Sequence, residues 1–197
     1  NSRDSLVNEP IDFTRVNNLP LEELHRMLQS VMFPESLSRK KQFRLSRDDY
    51  RFLHQYLSQF PSETNYPRYD SSQYYDSYVK FFFRDESHKM PDEVRVFNKV
   101  GWAYGFLIDV SYVVDFKNSI EYMLSAVVYV NRDGILNDNK YEYEEVGWPF
   151  MYQLGQTIHK YELKRSRKFM PDLHKFRIGY EKRDKEDNRP VVKDIDN

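Results

Sequence analysis

The chain contains no cysteine, which removes disulfides, thiolate metal sites and cysteine nucleophiles together. No apolar run approaches the ~18 residues of a membrane-spanning helix, and Asn1-Ser2-Arg3-Asp4 opens no signal peptide. Charge of one sign is also missing: 30 Lys and Arg face 31 Asp and Glu, so no net field draws the chain to nucleic acid. Phosphate-binding loops, H-E-x-x-H and G-x-S-x-G are absent. His25, His54, His88, His159 and His174 are scattered, with no second ligand at metal spacing. The acids from Asp138 to Glu145 lack the Gly-centred spacing of a calcium loop and read as a solvated helix start. The sequence thus points to no metal, no cofactor, no nucleic acid and no membrane span.

What is plentiful is aromatic. Sixteen Tyr, fourteen Phe and two Trp fill 16% of the 197 positions, suiting thin α+β cores and contact surfaces. Tyr74-Tyr75 and Phe81-Phe82-Phe83 lie near no basic stripe, so they read as packing rather than as a base-stacking platform. The length suits one α+β domain over residues 1–163, followed by a polar tail at 164–197, where 11 basic against 7 acidic residues leave +4.

Periodicity sets the elements. Pro20 with Glu22 and Glu23 starts a helix that carries Leu21, Leu24, Leu28 and Val31 and stops before Pro34. Ser46-Arg47-Asp48-Asp49 has a capping-box shape and opens a second helix with Tyr50, Leu53, Tyr56, Leu57 and Phe60 on one face. Tyr78–Phe83 is read as a strand and Val94–Asn98 as a short one. Phe106–Phe116 and Glu121–Asn131 alternate as longer strands, and the short links at Gly101 to Gly105 and at Lys117-Asn118-Ser119 make neighbours antiparallel. From Tyr143, apolar residues recur at helical spacing to Tyr161, with Gly147 and Gly155 on the packed face.

The most informative run is Lys99-Val100-Gly101-Trp102-Ala103-Tyr104-Gly105. A lysine at a strand end before glycine can hold an ammonium beside a cleft while the glycine backbone lies close to a ligand. The amide that follows can donate to a developing oxyanion. A three- or four-stranded meander and a packed helix come after it. In this order the run resembles the K-[TS]-G strand of serine β-lactamases and penicillin-binding transpeptidases, and the likeness extends over about Leu19 to Glu162.

The resemblance implies a serine hydrolase whose C-terminal portion this chain would be, outside the cytoplasm, acting on a small-molecule or peptide-like substrate. By that likeness Lys99 and Trp102 are catalytic, Lys99 by its charge and Trp102 by its amide, while Val100, Gly101 and Tyr104 bind substrate. Val100 stands where the family has a hydroxyl residue. The S-x-x-K nucleophile would precede the chain, which opens at Asn rather than Met. Ser38-Arg39-Lys40-Lys41 matches S-x-x-K in letters but lies in a basic loop. The alternative is a non-catalytic binding module on the same scaffold, with Trp102 and Tyr104 as contact surface. In either case the outer edge of the Glu121–Asn131 strand is expected to be covered by a preceding portion, by another chain or by the tail, or to be left open.

Overall fold

The computed structural model of the chain describes residues 19–64 and 68–180, together with the backbone of residues 191 and 192. Its first helix, α1 (Leu21–Met32), begins after Pro20 with Glu22 and Glu23 in the first turn and ends where Phe33 N–H closes on Gln29 O. Helix α2 (Arg47–Ser58) opens with the expected capping box. Asp49 N–H donates to Ser46 Oγ at 3.2 Å, and Ser46 N–H donates to Asp49 Oδ2 at 2.8 Å. A two-residue strand, β1 (Arg68–Tyr69), pairs in parallel with β5 (Val191–Val192).

The main sheet has three antiparallel strands in the order β2-β3-β4: β2 (Val94–Ala103), β3 (Phe106–Asp115) and β4 (Ile120–Tyr129). Helix α3 (Trp148–Lys164) follows a single π-helical turn at Tyr143–Gly147, and Pro149 falls in its first turn, where an amide has no helical partner to lose. The α+β class and the packed C-terminal helix agree with the reading of the sequence.

The sheet is the middle of three layers. Leu28 and Met32 of α1 pack with Phe97, Val110, Tyr112 and Val114 on one face. Trp148 and Met151 of α3, with Phe81, Phe82 and Phe83, pack with Val94, Val96, Leu107 and Val113 on the other. Strand β3 is therefore buried on both faces: its even row is wholly Phe, Ile, Val and Tyr, while its odd row buries Asp109, Ser111 and Asp115 beside Leu107 and Val113. Each fully buried Phe, Leu or Val stabilises the fold by roughly 1.5–3 kcal/mol relative to exposure.

Four expectations need correction. Tyr78–Phe83 is not a strand: the chain turns here and ends in a 3-10 turn at Phe81–Phe83. All three phenylalanines are buried, so no alternation of inside and outside exists for a pleat to serve. Strand β2 does not stop at Asn98 but pairs with β3 through Ala103. The link is only Tyr104-Gly105, with φ of 53° and 85°, a two-residue turn that matches the twist of its hairpin. Tyr56 of α2 faces solvent, while Gln55 and Ser58 are buried. The stretch after α3 is more than charged surface, because Leu173 and Phe176 sit in the core beside α1.

The packed-face glycines are required by close approach. A Cβ on Gly155 would stand 2.2 Å from the Phe82 carbonyl oxygen, and one on Gly147 would stand 2.7 Å from Leu107 Cδ1.

Candidate functional site: an apolar chamber beside Lys99

Lys99 lies within β2, opposite Val110, not at a strand end. Side chains alternate across the sheet, so Lys99 and Gly101 lie on the face covered by α1 and α2. Val100 and Trp102 lie on the α3 face. The structure therefore gathers only three of the five expected site residues: Lys99, Val100 and Gly101 line one cavity, and Trp102 and Tyr104 lie outside it. Trp102 joins an aromatic group with Trp148 (ring centroids 4.9 Å apart) and Tyr143 (5.7 Å), and the Arg84 guanidinium carbon lies over the Trp148 ring at 3.8 Å. Tyr104 is half exposed in the hairpin turn, and the next amide, Gly105 N–H, donates to Tyr143 OH at 2.7 Å.

The ladder fixes what Lys99 does. Phe116 N–H donates to Glu93 O, so odd residues of β2 point their backbone groups at β3 and even residues point theirs outward. Lys99 Nζ donates to one of these outward carbonyls, Val100 O, at 2.6 Å.

A second lysine, which no motif in the sequence singles out, does the same further along. Lys80 is 1% exposed, and its Nζ donates to Val96 O (2.9 Å), Leu57 O (2.8 Å) and Asn98 Oδ1 (2.7 Å). Asn98 Nδ2 passes the connection on to Asp109 Oδ1 (2.9 Å) and also holds Val79 O (2.7 Å). Ser111 Oγ and Phe81 N–H donate to the same carboxylate. Every polar atom suits its neighbour: the ammonium meets three acceptors and the carboxylate three donors. Burial pulls Lys80 down to about 7 against the attraction of Asp109. It also pushes Asp109 up to about 6 against the donors from Ser111 and Asn98. This cluster is sealed from solvent, so it holds the Val79–Phe83 segment to the edge of β2 rather than meeting a ligand.

The space open to a ligand lies on the opposite face. Between α1, α2 and the β2–β3 hairpin is a cavity of about 430 Å³. Its wall includes Leu24, Leu28 and Val31 from α1, Leu53 and Leu57 from α2, and Ile108 and Val110 from β3. Among the described residues Lys99 is the one charged residue of the lining, and Gly101 leaves its floor open, since a Cβ there would meet only the Ile108 side chain, at 3.7 Å.

A larger cavity of about 700 Å³ lies beside Phe60 and Tyr180, and two ion pairs already engage both of its arginines. Arg95 pairs with Glu63 at 2.5 Å and Arg177 with Glu93 at 3.3 Å. Ser38, of the S-x-x-K look-alike, precedes an exposed 3-10 turn at Arg39–Lys41. His25 Nδ1 lies 2.7 Å from Ser125 Oγ and ties α1 to β4. Compared with models of protein families, with curated proteins and with solved structures, the chain matches none.

Proposed function

We propose that this chain is a non-catalytic binding module whose α1–α2 chamber takes a small molecule with an apolar body and one anionic end. The observation that carries this reading is an apolar cavity of about 430 Å³ with a single ammonium, Lys99, in its lining. The volume falls within the range of roughly 300–1,000 Å³ usual for small-molecule sites, and such sites are mostly apolar with a few fixed polar groups. Lys99 commits one N–H to Val100 O, which steadies the ammonium while leaving donors for a carboxylate. Nothing in the reading needs a nucleophile.

The test is equilibrium binding of a naphthalene sulfonate dye and its displacement by a medium-chain fatty acid and by the matching alcohol. Gly101→Leu fills the floor and is expected to abolish binding while the chain stays folded. Lys99→Gln should weaken the acid by about tenfold, the loss of one charge-assisted hydrogen bond, and leave the alcohol unchanged. Saturable binding indifferent to Gly101→Leu, or no binding at all, would contradict the proposal. Covalent labelling of a serine by a fluorophosphonate would instead favour the serine-hydrolase expectation.

A further inference from the structure

The two long edges of the main sheet are treated very differently. At the edge of β2, Lys80 and Lys99 cap the Val96 and Val100 carbonyls and Asn98 holds the Val79 segment beside the strand. On β4, Val130 N–H donates to Gly105 O, so even residues face β3 and the backbone groups of Glu121, Met123, Ser125, Val127 and Tyr129 point outward. None of these outward groups has a hydrogen-bond partner among the described residues. Natural edge strands are blunted by lysine, proline, bulges or a covering segment. Over its ten residues β4 has no lysine, no proline and no bulge against β3, and its one charge, Glu121, accepts from Tyr112 OH.

We propose that β4 is a self-association edge, on which two copies of this chain pair antiparallel about a two-fold axis through Ser125 to form one six-stranded sheet. A second copy is the occupant because the axis that overlaps all five outward residues of β4 is also one about which the exposed flank of α3 is self-complementary. In a two-fold pairing about Ser125 the outward residues meet outward residues: Ser125 faces itself, Met123 faces Val127 and Glu121 faces Tyr129. No carboxylate meets its own copy, and each side chain keeps its face of the sheet.

Helix α3 gives the second placement. Tyr122 OH meets His159 Nδ1 at 3.1 Å, and a Cβ on Gly147 would stand 3.4 Å from Val130 Cγ2, so α3 runs antiparallel along β4. At proportionate spacing Ser125 lies beneath about residue 155 of the helix. One flank of α3 faces the Phe82 segment, to whose carbonyl Gln156 donates. The opposite flank, on the β4 side, carries Phe150 (46% exposed), the partly buried Leu154 and Tyr161 (60% exposed). Phe150 and Tyr161 are centred between Gly155 and Gln156. A two-fold axis at that point sets Phe150 of one copy against Tyr161 of the other, an aromatic pair on each side of the axis. Strand and helix are thus self-complementary about one point.

Sedimentation equilibrium of the full chain from micromolar to hundreds of micromolar tests this. The expected result is a monomer–dimer equilibrium. Val127→Pro removes an outward N–H and no bond to β3, so it should leave the circular dichroism unchanged and abolish the dimer. Should that variant fail to fold, Val127→Lys and Phe150→Glu, which remove no backbone bond, carry the test; each should weaken the dimer by at least about tenfold. A monomer at every concentration would overturn the proposal, whether because the edge is open or because another partner covers it. A dimer indifferent to both Val127→Lys and Phe150→Glu would place the interface elsewhere and overturn it equally.

Discussion

The edges of β2 and β4 border the same sheet, yet one is finished from within and the other is not. At β2, two ammonium groups cap the Val96 and Val100 carbonyls, and Asn98 binds the Val79 segment across the strand. At β4, the outward amides and carbonyls have no partner among the described residues, and apolar side chains line the edge. A sheet edge is a template for another strand unless something occupies it. Buried polar groups have been spent at one edge and none at the other, which is the pattern of a sheet that ends at β2 and continues past β4.

The largest blow to the comparison falls on the closed edge. Asp109→Ala leaves a buried Lys80 ammonium without its counter-charge and strands Phe81 N–H. It should cost about 3–5 kcal/mol in urea unfolding. Replacing both partners, as Lys80→Met with Asp109→Asn, should cost clearly less, because no buried charge remains; equal losses would mean that the network is not a unit. Next in size is Gly155→Ala. Its Cβ would meet the Phe82 carbonyl oxygen at 2.2 Å and lever α3 away from the segment that covers β2, at about 1–3 kcal/mol by the same assay.

Acidity sharpens the contrast, since the β2 edge holds a buried ammonium and a buried carboxylate joined through Asn98. The folded chain releases the Lys80 proton near pH 7, whereas unfolded lysine holds it to about 10.4, so the stability contribution of Lys80 rises as pH climbs above 7. The folded chain takes up the Asp109 proton near pH 6 against about 3.9 unfolded. That contribution is complete below about pH 4 and is lost as pH rises through 6. The pair therefore predicts a dip in melting temperature near pH 6–7, which Lys80→Met with Asp109→Asn should flatten. A dip of unchanged depth in that double variant would assign it to other groups. The smallest effect belongs to Lys99→Gln. An exposed lysine on one carbonyl should change stability by no more than about 0.5 kcal/mol, so a larger loss would give Lys99 a structural weight that its exposure does not suggest.

The sequence carried the helices and the meander well, and the reasons are local. Ser46 and Asp49 form their capping box without help from the rest of the fold. The apolar spacing of Trp148, Met151 and Leu154 meets the sheet as a helix must. Lys99 was misplaced because Gly101 looks like a strand stop, while the real turn uses Tyr104, a residue poorly suited to positive φ and so a weak signal. Phe81–Phe83 has the composition of a strand, but burial on every side overrides propensity. The Lys80–Asn98–Asp109 chain joins three separate segments between residues 80 and 109, and a buried lysine is rare enough that no local pattern announces it. The α1–α2 chamber arises from the spacing of two helices over a glycine, which only the folded chain reveals.

The central claim is that β4 is an open edge completed by a second copy, and amide hydrogen exchange reads it residue by residue. The outward amides of Met123, Ser125 and Val127 should exchange slowly at high protein concentration and fast on dilution, while the inward amides of Leu124 and Ala126 stay protected throughout. Outward amides that exchange at one rate at every concentration would contradict the account.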